Sequence, residues 1–313
     1  MNLIFIWNIG ITFLLFVPYV VVGQKLEFQE EKEGILLLEN GAPRYFYRTS
    51  APNNNSRFAR TNYIHPLYGL DGEVLTEDFP EDHPHHHGIF LAWHQLYAEG
   101  KRIANPWMNE GIGWKVLNTE TTVKGKRAVL SAEIEWIQKA TAKAVVREDL
   151  IISFERVMKD VFALSFDIKL TALVDGVAIG GSEDEKGYGG FSVRIKLPED
   201  ANFRSRIGKV APAKLPLQVG PWVDISGHFS SSLNGPSGII IMGEPGKLPS
   251  YKGWILRDDN SMQNMAFPGP TPLAINKDGS LSLRNQLLIH RDLNTEEIAG
   301  MYKEFRESGF HKD

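Results

Sequence analysis

Residues 162–172 read FALSFDIKLTA, and this stretch decides the fold class. Apolar side chains occupy positions 162, 164, 166, 168 and 170, while Ser165, Asp167, Lys169 and Thr171 occupy the positions between them. Successive side chains of a strand point to opposite faces of a sheet. This period of two therefore predicts a strand with one face in a core and the other outside it.

Further segments show the same alternation or form the short apolar runs that are typical of buried strands. They are Leu130–Trp136, Phe191–Leu197, Gly238–Met242 and Leu281–Ile289. Gly34–Arg48 predicts a hairpin, because Asn40-Gly41 suits the two left-handed positions of a tight turn.

A single helix is predicted, near the end of the chain. Asn294 and Glu297 have the spacing of a capping box. An apolar stripe at helical spacing follows, formed by Ile298, Met301, Tyr302 and Phe305. Many half-buried strands and one terminal helix predict an all-β fold, a large antiparallel β-sandwich with a C-terminal helix.

Composition excludes several classes of protein. The 313 residues carry a net charge of -4 and show no basic stripe, so no nucleic-acid partner is expected. The chain has no cysteine, which excludes disulfides and a lipidated cysteine. Its 29 glycines and 17 prolines favour a turn-rich β protein.

The first residues differ from the rest. Leu3–Val22 is almost wholly apolar and ends at Val22-Gly23-Gln24. We interpret residues 1–23 as a signal peptide and residues 24–313 as one catalytic domain, exported to a bacterial periplasm or secreted. The alternative is a retained membrane anchor, since the apolar stretch approaches the roughly 20 residues that a span needs. No other membrane contact is expected.

Histidines concentrate in one region of the chain. Five of the nine histidines are His65 and the four in Asp82-His83-Pro84-His85-His86-His87-Gly88. Imidazole exchanges protons near neutral pH, so the cluster indicates proton transfer. A transition-metal site and a hydrogen-bonded structural role are the alternatives. His85, His86 and His87 cannot all face one ion on a regular strand, and neither a metal nor a cofactor is predicted.

Arginines, tryptophans and one tyrosine are the candidate ligand contacts. Guanidinium groups bind carboxylates through paired hydrogen bonds, although an isolated strand arginine is usually just solvated. Tryptophan in a polar loop suits stacking on a sugar, or a plug that seals the end of a sandwich. Tyr188 follows a glycine-rich segment that forms either a flexible rim or a tight turn. The candidates for substrate binding are Arg60, Trp107, Arg194, Trp222, Arg257 and Arg284.

Four blocks of sequence, and a late basic strand ending in Arg284 and His290, resemble the PmoA-like family. The four blocks are Tyr63–Pro66, Asp82–Gly88, Gly187–Phe191 and Trp222–Gly227. One departure is His87, where that family more often has arginine. Its label suggests methane oxidation, but a membrane oxygenase would need several spanning segments, and none follows the leader. The resemblance instead implies an exported protein of polysaccharide-degrading bacteria, with a mutarotase-like supersandwich and carbohydrate chemistry.

The leading hypothesis is a carbon–oxygen lyase, a dehydratase acting on uronic-acid oligosaccharides. β-Elimination needs a base, an acid and a group that neutralises the substrate carboxylate. We assign proton transfer to His65, His85, His86 and Tyr188, and we expect an anionic oligosaccharide as partner. One alternative is a glycoside hydrolase, which would use two carboxylates. Another is a non-catalytic sugar-binding protein of a glycan-uptake system. The candidate carboxylates are Asp78, Glu81, Asp82 and Glu110.

Overall fold

The computed structural model describes residues 24–53, 56–230, 235–259 and 262–309. The signal peptide predicted for residues 1–23 lies outside them. Strands β1 to β22, numbered along the chain, form three sheets in which every neighbouring pair is antiparallel. This confirms the predicted fold class.

Sheet A has nine strands and carries the histidine segment between two of them. Its spatial order is β1 (Leu26–Glu31), β2 (Gly34–Glu39), β3 (Ala42–Arg48), β4 (Tyr63–Leu67), β5 (Ile89–Ala92), β13 (Gly190–Arg194), β20 (Met262–Ala266), β19 (Gly253–Leu256) and β16 (Ala213–Leu217).

Sheet B also has nine strands, among them the longest of the described chain. Its spatial order is β15 (Gly208–Lys209), β14 (Asn202–Ser205), β17 (Trp222–Gly227), β18 (Ser237–Gly243), β22 (Ser280–His290), β11 (Val161–Ala172), β10 (Lys143–Met158), β9 (Arg127–Gln138) and β8 (Ile112–Lys124).

Sheet C is the smallest of the three. Its order is β21 (Leu273–Ile275), β12 (Val177–Gly180), β6 (Gln95–Ala98) and β7 (Lys101–Ala104). Two short 3-10 turns, Pro106–Met108 and Pro245–Lys247, and helix α1 (Thr295–Glu307) complete the described structure.

The core lies between sheets A and B. Phe166 and Ile168 of β11 line the same interior space as Ile64 of β4 and Phe191 of β13. All four side chains are buried, and for Phe166 and Ile168 the alternation in residues 162–172 predicts this. Burying each such side chain stabilises the fold by roughly 1.5–3 kcal/mol.

The hairpin and the helix form where the sequence places them. Asn40 and Gly41 adopt positive φ angles of 54° and 80° between β2 and β3, as the tight turn requires. Helix α1 begins after Asn294, whose side chain and that of Glu297 form the capping box. We predicted a strand over Phe191–Leu197, whereas the observed strand β13 already ends at Arg194.

Helix α1 covers part of the face of sheet B that points away from the core. Its Ile298 and Phe305 are buried against Trp222, Ile240 and Leu288. Among the described residues, no helix combines the length and the apolar character needed to cross a membrane.

Candidate active site

The histidine segment lies over the face of sheet A that is turned away from the core. On β5, Ile89 and Leu91 point into the core, whereas Phe90 packs with Tyr63 and Trp107 on the opposite face. Residues 83–87 immediately precede β5 and therefore lie against this outer cluster.

Gly88 allows the segment to approach β4 closely. A Cβ atom at this position would lie 2.1 Å from the carbonyl oxygen of Ile64 and 3.0 Å from the Cβ of His65. Only glycine leaves room for that backbone contact. The glycine that ends the multi-histidine motif thus brings its backbone against β4 next to His65.

Six aromatic side chains form a continuous line, here called the imidazole row: His83, His85, His86, Trp107, His94 and Tyr188. The rings of His83 and His86 stack at 4.7 Å and 7°, and His85 lies edge-on to His86 at 4.6 Å.

The second half of the imidazole row is built on Trp107. His86 is edge-on to Trp107 at 5.6 Å, and His94 stacks on the same indole at 5.2 Å. Tyr188 is 4.9 Å from the His94 ring. Side chains from before β5, after β5, the 3-10 turn and the segment before β13 therefore meet.

Exposure differs along the imidazole row. His85, His94 and Tyr188 are half-buried and His83 retains 35% of its side-chain exposure, whereas His86 is buried. The row therefore reaches the surface at both ends rather than lying sealed inside.

Two imidazoles of the row, His85 and His94, are held in the neutral form. Burial lowers the pKa of His85 to about 4, and repulsion from a protonated His83 acts in the same direction. Burial likewise lowers the pKa of His94 to about 4. Near neutral pH both rings consequently have a free lone pair that can accept a proton or a hydrogen bond.

His87 belongs to a buried brace beside the imidazole row. Its Nδ1 lies 2.7 Å from Oδ1 of Asp78, while the hydroxyl of Tyr63 donates to Oδ2 of Asp78 at 2.9 Å. The His87 side chain is fully buried, so it supports the site without reaching the surface.

His65 lies next to this brace. Its Nδ1 is 3.0 Å from the hydroxyl of Thr76, and its pKa is lowered mainly by burial. Within the described chain, no ring contact joins His65 to the imidazole row. The structure therefore does not show the predicted pairing of His65 with His85 or His86. The additional histidine of the row is His94, which we did not select from the sequence.

Arg194 is at the site, but its guanidinium is occupied. Nε donates to Glu77 at 2.7 Å, Nη2 to Asp82 at 2.9 Å and Nη1 to Nδ1 of His86 at 3.3 Å. The side chain is buried. The expectation of an open clamp for a substrate carboxylate is corrected, because Arg194 instead orders the loop and the histidine.

Arg60 is also buried. Its guanidinium lies 3.7 Å from the centre of the Trp114 ring and donates to the carbonyl oxygen of Leu91. Burial lowers the pKa of Arg60 to about 10. The prediction that Arg60 binds substrate is therefore not supported by its position beneath the surface.

The two remaining arginines are held by other parts of the chain. Arg257 donates to the carbonyl oxygens of Ala213 and Lys214, although its charge still acts on Tyr188. Arg284 lies under helix α1, where Asp167 accepts from its Nε at 2.8 Å. Arg284 is thus not part of the imidazole row, and its buried position does not support the predicted role in substrate binding.

Neither of the two tryptophans predicted to bind substrate offers an open stacking surface. Trp222 is fully buried under helix α1, and Trp107 is 1% exposed in the middle of the imidazole row. Trp107 is therefore packed among neighbouring rings, while Trp222 stabilises the helix contact. A cation that the sequence reasoning missed is Lys186, whose Nζ lies 6.0 Å from the centre of the Tyr188 ring.

Metal-ligand geometry is absent from the described part of the chain. No three histidine, aspartate or glutamate side chains there converge as an ion would require.

Comparison with solved structures finds carbohydrate-active proteins at low similarity. A heparan sulfate lyase from Pedobacter heparinus is 9% identical (TM-score 0.39), with 87% of this chain and 36% of that chain covered. An α-galactosidase from Lactobacillus brevis is 11% identical (TM-score 0.38), with 91% and 40% covered. A Klebsiella pneumoniae protein proposed to be an aldose 1-epimerase is 9% identical (TM-score 0.40), with 92% and 85% covered.

This chain thus spans well under half the length of the first two proteins. The identities and TM-scores are too low for any of these activities to carry over to this chain. No curated protein matches it in sequence. A family model described as a family of unknown function, DUF6807, matches residues 35–303. The chain belongs to the DUF6807 family.

Proposed function

We propose that this protein is a carbohydrate-active acid–base enzyme, a lyase that eliminates water or a sugar from uronic-acid oligosaccharides. One observation carries the proposal. A neutral imidazole, His85, and a phenol, Tyr188, reach the surface from opposite halves of one imidazole row. Such a pair can remove one proton and supply another.

In the proposed elimination, His85 acts as the base and Tyr188 acts as the acid. His85 takes the proton from C5 of the uronate, next to the carboxyl group. The electron pair of the broken C–H bond forms the C4=C5 double bond, and the C4–O bond breaks. Tyr188 donates its proton to the departing oxygen, which leaves as water or as a sugar hydroxyl. Each proton transfer of this kind contributes about 10²–10⁴-fold to the rate.

Positive charge lies beside Tyr188. Lys186 and Arg257 both act electrostatically to lower the pKa of Tyr188, although burial raises it overall. Lys186 is 3.2 Å from Asp184 but keeps 37% of its side-chain exposure. A substrate carboxylate can therefore reach Lys186, while the arginines first expected to bind it are engaged elsewhere.

Two of the candidate carboxylates, Asp78 and Asp82, fit a hydrolase less well. A hydrolase needs one carboxylic acid and one free carboxylate on opposite sides of the sugar bond. Asp78 accepts from Tyr63 and His87, and Asp82 accepts from Arg194. A sugar-binding protein without catalysis would need exposed aromatic faces, and Trp107 is buried.

The proposed function is tested by measuring formation of the unsaturated elimination product. The purified protein is incubated with uronic-acid oligosaccharides, and the ultraviolet absorbance of the conjugated product is followed with and without a chelator. A rise that survives the chelator supports the proposal. Reducing ends without absorbance would instead indicate hydrolysis, and binding without turnover would indicate a lectin-like protein.

A further inference from the structure

We propose that His86 acts as a neutral hydrogen-bond donor through its Nε2–H, and that Arg194 fixes it in this tautomer. The catalytic part of this inference rests on the proposed lyase function; the tautomer does not. The sequence reasoning treated His86 as one of a proton-transfer pair. Its contacts point to a different task.

Hydrogen-bond chemistry decides the tautomer. A guanidinium has five N–H donors and no acceptor, so it can contact an imidazole nitrogen only as donor. Nη1 of Arg194 lies 3.3 Å from Nδ1 of His86, and this nitrogen must therefore present its lone pair. A neutral imidazole carries one proton, which then has to be on Nε2.

Arg194 cannot easily release this contact. Two of its other nitrogens donate to Glu77 and Asp82, which anchor the guanidinium from two points of the loop between β4 and β5. The arginine side chain is itself buried. A rotation that freed Nδ1 of His86 would break these charge-assisted hydrogen bonds.

The surroundings of His86 oppose a second proton. His83 stacks on the ring, His85 lies edge-on to it, and the guanidinium of Arg194 is a cation in contact with its Nδ1. The carboxylate of Asp82 already accepts from Arg194 and lies 2.9 Å from Nδ1 of His83. Burial above all, together with repulsion from Arg194 and from any neighbouring histidine that becomes protonated, keeps the pKa of His86 far below its ordinary value.

The Nε2–H of His86 is available to a ligand. Across the described chain, no acceptor is within hydrogen-bond distance of this nitrogen, and it is not one of the fully buried unpartnered atoms. When His85 removes the C5 proton, negative charge moves onto the oxygens of the substrate carboxyl group. A preorganised neutral N–H stabilises that charge without itself giving up a proton.

The tautomer is measured without any substrate. Nitrogen-15 NMR of the imidazole side chains distinguishes a protonated nitrogen from one with a free lone pair. We expect a free lone pair on Nδ1 of His86, a proton on Nε2, and no titration between pH 8 and pH 5. A proton on Nδ1, or an imidazolium at neutral pH, would overturn the inference even if the protein proves to be a lyase.

Two variants test whether Arg194 controls the tautomer of His86 or only packs against it. In Arg194→Met, the pattern for His86 should become a mixture of tautomers, whereas Arg127→Met, which removes an arginine on sheet B, should leave it unchanged. An unchanged His86 pattern in a folded Arg194→Met protein would contradict the role of Arg194. If Arg194→Met does not fold, the wild-type spectrum still decides the tautomer.

Kinetics test the donor role once elimination has been observed. His86→Leu should lower kcat by about 10²–10³-fold, the usual cost of removing one donor to a developing oxyanion. His86→Gln should retain part of that activity, because its amide N–H can donate. Equal losses in both variants would contradict the donor role while leaving the lyase function standing.

Discussion

The two sheets carry histidines and arginines on their outer faces, but they use the histidines differently. At the end of β22 on sheet B, both nitrogens of His290 are engaged: Nε2 is 3.0 Å from Asp224, and Nδ1 accepts from the backbone of Leu293. On sheet A, His85 has no hydrogen-bond partner among the described residues and keeps both ring nitrogens free.

The arginines of the two sheets do not show this contrast. Arg284 on sheet B donates to Asp167, Glu244 and the carbonyl oxygen of Phe305, all within the fold. Arg194 on sheet A donates to two carboxylates and one imidazole, which also belong to the fold. A polar group held by internal partners, as both arginines are, stabilises the fold, whereas a group with free nitrogens at the surface, such as His85, can act on a ligand.

The largest expected effect is on turnover. His85→Ala should lower kcat for elimination by about 10²–10⁴-fold, because it removes the proposed base. The thermal unfolding midpoint should change little, since His85 makes no internal hydrogen bond in the described chain. His228→Ala is the matched control, because this exposed histidine pairs with Asp200 away from the imidazole row. Equal activity of both variants would refute the assignment of His85.

The next effect is on stability. Arg284→Met should lower the free energy of unfolding by about 3–5 kcal/mol, because it leaves the buried Asp167 without its partner. Urea denaturation measures the change, and Arg306→Met, on the exposed side of α1, should shift it by less than about 0.5 kcal/mol. A small effect at Arg284 would remove the distinction between the two faces.

Much of the fold follows from local sequence pattern. The alternation in residues 162–172 sets which side chains of β11 are in the core, and Asn40-Gly41 sets the hairpin. Both patterns lie within a few consecutive residues, so they predict local structure without knowledge of which strands pack against them. The proximity of His85 and His86 is local for the same reason.

The hydrogen-bond partners of the arginines could not be predicted from local sequence pattern. Arg194 meets Glu77 across 117 positions of sequence, and Arg284 meets Asp167 across another 117. Nothing near either arginine shows which carboxylate it will meet. His94 and Lys186 were missed because each is a single residue that becomes significant only when Trp107 and Tyr188 fold against it.

The folding stability of the protein should fall in acid, because several buried histidines have lowered pKa values. In the folded protein the pKa of His85 and of His94 is about 4, and the pKa values of His65, His86 and His87 are also lowered. An unfolded histidine titrates near 6.5. Between these values the unfolded chain binds more protons, so stability is complete above about pH 6.5 and falls as the pH approaches 4.

This loss should amount to a few kcal/mol, since each unit of pKa shift corresponds to about 1.4 kcal/mol. Unfolding midpoints measured from pH 7.5 to pH 4.5 give the slope. His94→Phe, which preserves an aromatic ring on Trp107, should make that slope shallower. Equal slopes in the wild type and His94→Phe would contradict the neutral state of His94.

The smallest effect concerns how helix α1 is attached. The Asn294 side chain accepts from the backbone of Glu297 at 3.0 Å, and Glu297 accepts from the backbone of Asn294 at 2.8 Å. Asn294→Ala should therefore lower the free energy of unfolding by about 1 kcal/mol. The elimination rate should stay at the wild-type value, because α1 packs on sheet B and the imidazole row lies on sheet A. A parallel loss of activity in a folded variant would show that the two faces are coupled, and the division between a stabilising face and a catalytic face would then fail.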